Sequence, residues 1–415
     1  MQPVDLVFEG GGAKGMVFVG ALQELFGEGK YRFGRLLGTS AGAITAVSLA
    51  SGLTPAMMLD ALSEKDASGK SVFESFLGNP APFDAEAIHH SAIRKLLGDL
   101  NMPFVPDFAE EKIDDWIARR LAADERGRHL FSFVERGGWY SADPFVAWIT
   151  RKLDEVTQDG QPRQLGASTL KEFHAATDVE MTLVAADTTW SRILLLNHRT
   201  APELPVVWAA RMSMSVPLLW QEVEWQEAWG PYHTWNPTTE RLEPNDIAGH
   251  VVVDGGLLSN FPISLLLADR EDVAAVVGAA EHHNVLGLLI DEALPVPNCP
   301  PKPAPGQGSG FANLRTFQRL HRLINTATGA HDNMAIAAFA RHVVRLPAGG
   351  YSTTQFDMSD AEREALVDAG RQTMRTFLAN QTVLEGTREI GGGDFSPAAE
   401  SIWMANDAAG TILQR

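Results

Sequence analysis

A single cysteine, Cys299, stands among 415 residues, which excludes an internal disulfide and any zinc site built on a set of thiolates. Basic residues are scarce beside acidic ones, 34 against 52 for a formal net charge of -18. Such a chain has no broad electrostatic reason to sit on DNA, RNA or a strongly anionic membrane, so no nucleic-acid partner is expected. No run of about 18 apolar residues occurs, and no membrane-spanning helix is predicted. Met1 to Asp5 lack the basic and apolar regions of a secretory leader. Together these absences suit a soluble, cytoplasmic chain, with peripheral contact at membranes and secretion without a signal peptide left open. What is present is ordinary globular usage, 45% hydrophobic and 21% charged, in a chain long enough for one large α/β domain with insertions.

Structure begins at once. Leu6-Val7-Phe8 is a short apolar run that stops at Glu9 and a glycine cluster, as a buried strand does. From Lys14 to Phe26 the apolar Val17, Ala21, Leu22 and Leu25 recur at helical spacing, and Gly27 and Gly29 end the pattern. Leu36-Leu37 predicts a second strand and Ala41 to Ala50 a second helix. This alternation predicts a mostly parallel, helix-covered sheet. Residues 54–175 are expected to be a helical insertion. Strands are predicted again at Met181 to Ala185, Ile193 to Leu196, Val251 to Val253, Val273 to Val277 and His342 to Leu346. Residues 295–310 are rich in proline and glycine and predict a flexible surface loop. Leu314, Phe317, Leu320 and Ile324 predict an amphipathic helix, and Glu362 to Leu378 another. The main domain is expected over 1–385, with 386–415 as an appended tail.

Three short motifs carry candidate chemistry. Gly10-Gly11-Gly12-Ala13-Lys14-Gly15 lies between the first strand and first helix, where exposed N–H groups beside a helix N-terminus favour a phosphate or a transient oxyanion. It also fits a tight turn and no more. Gly10, Gly12 and Gly15 match a dinucleotide fingerprint, but the second strand ends Leu36-Leu37-Gly38-Thr39-Ser40, without the acid that binds ribose. A Walker loop fails too, because Lys14 is followed by Gly15. The second motif, Gly38-Thr39-Ser40-Ala41-Gly42, reads as a nucleophile elbow, a strained strand-to-helix turn with little room for side chains beside the serine. The third, Asp254-Gly255-Gly256, puts a carboxylate at the end of an apolar strand, either facing a ligand crevice or making an Asp-Gly turn.

In this order the motifs resemble the patatin-like phospholipases. Ala210-Arg211-Met212-Ser213-Met214-Ser215-Val216-Pro217 and Asn260-Phe261-Pro262 add to the likeness, which covers most of residues 5–380 and is weak over 54–175. The resemblance implies a three-layer α/β/α fold. It also implies a lipid acyl hydrolase of phospholipase A type, without metal or cofactor, acting on membrane phospholipid. By it Ser40 is the nucleophile and Asp254 its general base. Gly10, Gly11 and Gly12 form the oxyanion hole, Gly11 and Gly12 through their N–H groups. Lys14, Gly15, Gly38, Gly42, Gly255 and Gly256 shape the supporting turns. A lysophospholipase, a neutral-lipid lipase or an acyltransferase with the same dyad remains open, as does a protein or small-molecule activator. A non-catalytic nucleotide-binding module is the remote alternative.

A Ser-His-Asp site is the nearest rival. Twelve histidines are present, yet Ser40 follows only the second strand, and His89-His90 and His282-His283 are adjacent pairs whose side chains diverge. No H-E-x-x-H or cysteine pair suggests a metal. An aqueous Asp, with a pKa of roughly 3.9, is a feeble base for a serine unless a water-poor site supports it. Trp208, Trp220, Trp225, Trp229 and Trp235 crowd the stretch before Asp254 and predict either a lipid-facing rim or a packed hairpin. Arg315, Arg319 and Arg322 line one helix face, a place for lipid phosphates or simply a solvated surface.

Overall fold

The structure is a computed structural model that describes residues 1–66, 69–99, 107–158, 160–281, 284–299, 339–380 and 399–414. Eight strands form the main sheet: β1 (Gln2–Phe8), β2 (Tyr31–Thr39), β3 (Met181–Asp187), β4 (Arg192–Leu196), β5 (Val223–Glu224), β6 (Val251–Asp254), β7 (Val285–Pro295) and β8 (Val343–Gly349). Their order is β8-β7-β1-β2-β3-β6-β5, with β4 also paired to β3. The pairings from β8 through to β3 are parallel, while β4, β5 and β6 join antiparallel.

Apolar side chains alternate across this sheet because successive residues of a strand point to opposite faces. Leu6 and Phe8 of β1 fall in one core and Val7 in the other; Leu36 and Leu37 of β2 divide in the same way. The first face is covered by α1 (Met16–Gly27), α2 (Ala41–Ser51), α3 (Leu170–Thr177), α4 (Val206–Ser213) and α6 (Asp360–Asn380). The second is covered by α5 (Glu271–Val277) and α7 (Ala399–Gln414). The result is the three-layer α/β/α architecture. The described residues of 54–175 are largely helical, with three two- or three-residue strands among them. One of these, Gly138–Tyr140, pairs in parallel with Leu218–Trp220 and so anchors the insertion beside the sheet. Among the described residues no helix is long and apolar enough to cross a membrane.

Two expectations are corrected. Val273 to Val277 is helix α5, not a strand. Val273, Val276 and Val277 lie three and four residues apart and are all buried, and Glu271 and Asp272 occupy the first turn, where the helix dipole favours acids. The strand is instead β7, a near-continuous apolar run buried on both faces between β1 and β8. Its last residue is Pro295, so strand structure enters the first position of the segment expected as a loop. The second correction concerns the tail. Its end forms α7, whose Ala405, Ala409 and Ile412 are buried in the second core, so it completes a layer rather than hanging from the domain. The rest of the proline-rich segment from residue 300 on, the helix expected over 314–324 with Arg315, Arg319 and Arg322, His282-His283 and the Gly391-Gly392-Gly393 run lie outside the described residues.

Candidate active site

Ser40 sits where β2 ends and α2 begins, buried, with φ 53° and ψ −118°. A positive φ is strained for any residue with a Cβ, by about 1–3 kcal/mol, and persists only where neighbours enforce it. Here the flanking backbone is too close for side chains. A Cβ on Gly38 would lie 2.3 Å from the Gly42 carbonyl oxygen, and one on Gly42 would lie 2.3 Å from that of Phe8. The Ser40 N–H donates to Ser213 Oγ (3.0 Å), and Ser213 Oγ donates to the Val184 carbonyl (2.6 Å). The turn is thereby hung on β3 through the end of α4.

Asp254 arrives from the other direction. Along one edge β3 is paired with β4 over Leu183 to Asp187. Its other edge is shared: β2 occupies it up to the pair Thr39 with Val184, and β6 occupies it from the pair Asp254 with Ala185. A parallel and an antiparallel strand therefore run toward each other along β3 and stop opposite consecutive residues. Their C-terminal ends bring Ser40 and Asp254 together. The Asp254 N–H donates to the Ser215 carbonyl (3.0 Å), and Asp254 Oδ1 accepts from the Gly256 N–H (2.7 Å). Oδ2 is buried without a well-formed hydrogen bond. Burial pushes the Asp254 carboxyl up to about 7, opposed in part by the nearby Ser40 hydroxyl and the Gly256 N–H. Ser40 Oγ and Asp254 Oδ2 make no hydrogen bond of ordinary geometry.

The glycine loop closes over the same point. A Cβ on Gly10 would sit 3.1 Å from Ser40 Cβ and 2.2 Å from Asn260 Oδ1. The Gly10 N–H donates to the Asn260 carbonyl and that of Ala13 to the Thr353 carbonyl, while Asn260 Nδ2 donates to the Gly10 carbonyl (2.9 Å). Between them, the Gly11 and Gly12 N–H groups have no hydrogen-bond acceptor among the described residues. Gly12 has φ 56°, a left-handed conformation that glycine adopts without strain. The Lys14 ammonium, buried, pairs with Glu292 on β7 and ties the loop to the sheet. Gly15 packs against Ala41, and Gly255 against the Val184 carbonyl, each too tightly for a Cβ. Gly256 supplies the N–H held by Asp254.

Above Ser40 lies a narrow cleft lined by Gly12 and by apolar groups including Ile44, Phe73, Met214, Leu219 and Phe356. A second apolar space adjoins it, sharing Gly12, Ala41, Ile44 and Phe73 and running on to Met58, Ala61 and Trp148. No histidine lines either space among the described residues; His89 and His90 are exposed at the end of the helix Ala85–His90. The tryptophan cluster is packed rather than a rim. Trp220, Trp225 and Trp229 are buried, Trp225 donates to the Gly230 carbonyl (2.9 Å), and Trp229 sits against both Trp208 and Trp225. Sequence reasoning assigned no role to Ser213 or Asn260. Their signal was position alone, inside the small-residue block and just after the Asp-Gly-Gly motif.

A serine on a strained elbow beside a buried carboxylate, under an apolar cleft, fits a lipid hydrolase. More narrowly, the chain belongs to the patatin-like phospholipases, whose family model matches residues 6–267. It is 26% identical over 387 residues to YqhO, an uncharacterized protein of Bacillus subtilis, covering 91% of this chain and 99% of that one. Among solved structures it is similar to VipD from Legionella pneumophila, at 16% identity and a TM-score of 0.43, covering 99% of this chain and 75% of that one. It is also similar to the type III effector ExoU of Pseudomonas aeruginosa, at 17% identity and a TM-score of 0.36, covering 100% of this chain and 61% of that one.

Proposed function

We propose that this chain is a phospholipase A-type serine hydrolase that cleaves acyl esters of glycerophospholipids through Ser40 and Asp254. The observation that carries the reading is the convergence of two strand ends that sets a strained serine beside a buried carboxylate beneath an apolar cleft. Ser40 Oγ attacks the acyl carbonyl as its proton passes to Asp254 Oδ2. The negative charge developing on the carbonyl oxygen is met by the Gly11 and Gly12 N–H groups, donors that need no reorganisation as the reaction proceeds. Collapse expels the lysophospholipid alkoxide, which takes the proton from Asp254 and leaves an ester on Ser40. Asp254 then accepts a proton from water, hydroxide attacks that ester, and fatty acid departs as the proton returns to Ser40.

A carboxyl with pKa near 7 suits this work better than an aqueous one, since a base is most effective near the working pH. The membrane enters as the source of substrate at a peripheral contact, and the apolar space reaching Met58 and Ala61 receives the acyl chain.

The test is fatty-acid release from mixed phosphatidylcholine and phosphatidylglycerol vesicles, and from a short soluble ester, with chelator present throughout. Wild type is expected to release fatty acid from both, and Ser40→Ala to lose at least ~10³-fold. Hydrolysis that survives Ser40→Ala, or that Asp254→Asn leaves intact while a histidine substitution removes it, would overturn the dyad.

A further inference from the structure

Away from Ser40, at the far end of the sheet, three side chains form a cluster that the hydrolase reading does not use. His174 lies in the last turn of α3, Glu180 just before β3, and His198 just after β4. Their donor atoms, one from each residue, lie within 4.8 Å of one another. The imidazole rings of His174 and His198 are stacked, centroids 3.7 Å apart and 2° from parallel, and His198 Nδ1 lies 4.0 Å from Glu180 Oε2. All three side chains are half-buried, so solvent reaches the cluster.

Two of the three are held by their neighbours. His174 Nδ1 is 3.1 Å from the Val179 carbonyl. A carbonyl can only accept, so Nδ1 carries the proton and Nε2 keeps its lone pair. This is the backbone contact that commonly orients metal-bound histidines. The Glu180 carboxylate is gripped by both terminal nitrogens of Arg199, Nη2 at 2.7 Å from Oε1. A carboxylate offers about four acceptor positions, so Arg199 fixes the group and leaves oxygen lone pairs for an ion. Two imidazole nitrogens are borderline donors that favour zinc and its neighbours over calcium or magnesium, and a carboxylate oxygen completes such sets. In a tetrahedral zinc site such donors stand roughly 3.3 Å apart. Lone pairs lie in the ring planes, so His198 must turn out of the stack with His174 for both rings to face one ion.

We infer that His174, Glu180 and His198 form a binding site for one divalent transition-metal ion, zinc foremost, with a fourth position open to water. The site clamps the end of α3 to the start of β3 and the end of β4. From Glu180 to Ala185, which pairs with Asp254, β3 runs roughly 16 Å. The ion is therefore structural, and hydrolysis at Ser40 does not depend on it.

The test uses the full chain stripped with chelator and then titrated with Zn²⁺ against a chromophoric competitor, alongside His174→Gln, Glu180→Gln and His198→Gln. Wild type is expected to bind one equivalent at least tenfold more tightly than each variant, and its Tm to rise with Zn²⁺ while theirs do not. Matching circular dichroism of the metal-free proteins shows that the variants fold; a variant that does not is set aside and the others decide. Zn²⁺ bound equally by wild type and the folded variants, at other histidines, would overturn the assignment. So would no binding by wild type at micromolar concentrations.

Discussion

At Asp254 the environment changes the chemistry of a residue more than its identity does. The Asp-Gly-Gly sequence names a carboxylate and a turn; burial lifts that carboxyl well above its ordinary value, to about 7. If Asp254 is the base, as proposed, hydrolysis requires the carboxylate, so kcat/KM is expected to rise through about pH 7 and level off above it. Stability runs the other way. A folded-state pKa above the unfolded one means that the contribution is full below the unfolded value of about 3.8 and is lost as pH rises through about 7. Asp254→Asn removes that titration while keeping an acceptor for the Gly256 N–H. The variant is expected to lose activity and yet to gain stability over wild type from pH 5 to pH 8, by an amount on the order of a few kcal/mol. Urea melts at the two pH values measure it, and an equal difference at both would refute the buried-carboxylate account.

Individual elements work by close approach. The elbow between β2 and α2 exists because Gly38 and Gly42 let backbone meet backbone, and a methyl on Gly42 has nowhere to go but into the Phe8 carbonyl. Gly42→Ala is expected to lower stability by about 1–3 kcal/mol or more. Gly27→Ala, at the end of α1 with nothing within 4 Å of the added Cβ, should be near neutral; thermal melts of the pair separate the two. The elbow was legible in sequence because its glycines are local. The apolar space proposed for the acyl chain was not, because α2, the helix Pro55–Leu62 and Trp148 meet there only after folding. Ala61→Phe would fill the far part of that space. Turnover of long-chain esters is then expected to fall relative to short-chain ones, and competition between C4 and C16 esters reads the ratio.

Across the whole molecule, two layers of helix cover one twisted sheet, and the second layer needs the end of the chain. Ala405 and Ala409 of α7 are fully buried against that face. The Asp269 N–H donates to Asn406 Oδ1 (2.9 Å), and Arg270 donates to the Asn406 carbonyl. Ala409→Asp places an unpaired carboxylate in this apolar layer, and a Tm lower by many degrees is expected. An unchanged Tm would mean that α7 is dispensable. The tail was misread because the glycine run before it looks like a linker. The amphipathic spacing of Ala405, Ala409 and Ile412 carries small side chains that give little hydrophobic signal.

By itself the sequence determined the alternation of strand and helix at the start of the chain, the elbow at Ser40, the glycine loop and the acid at the end of β6. Each is a local pattern whose meaning lies within a few residues. It did not determine whether Val273 to Val277 was strand or helix, since a short valine-rich run satisfies either period, and the strand at Val285–Pro295 was not singled out. Only the tertiary structure decided that Ser40 and Asp254 meet, 214 positions apart in the chain. Their meeting depends on β2 and β6 ending opposite consecutive residues of β3, and strand register is set by which faces find a core rather than by any local motif. The same packing removed water from Asp254 and gave the carboxyl its basicity.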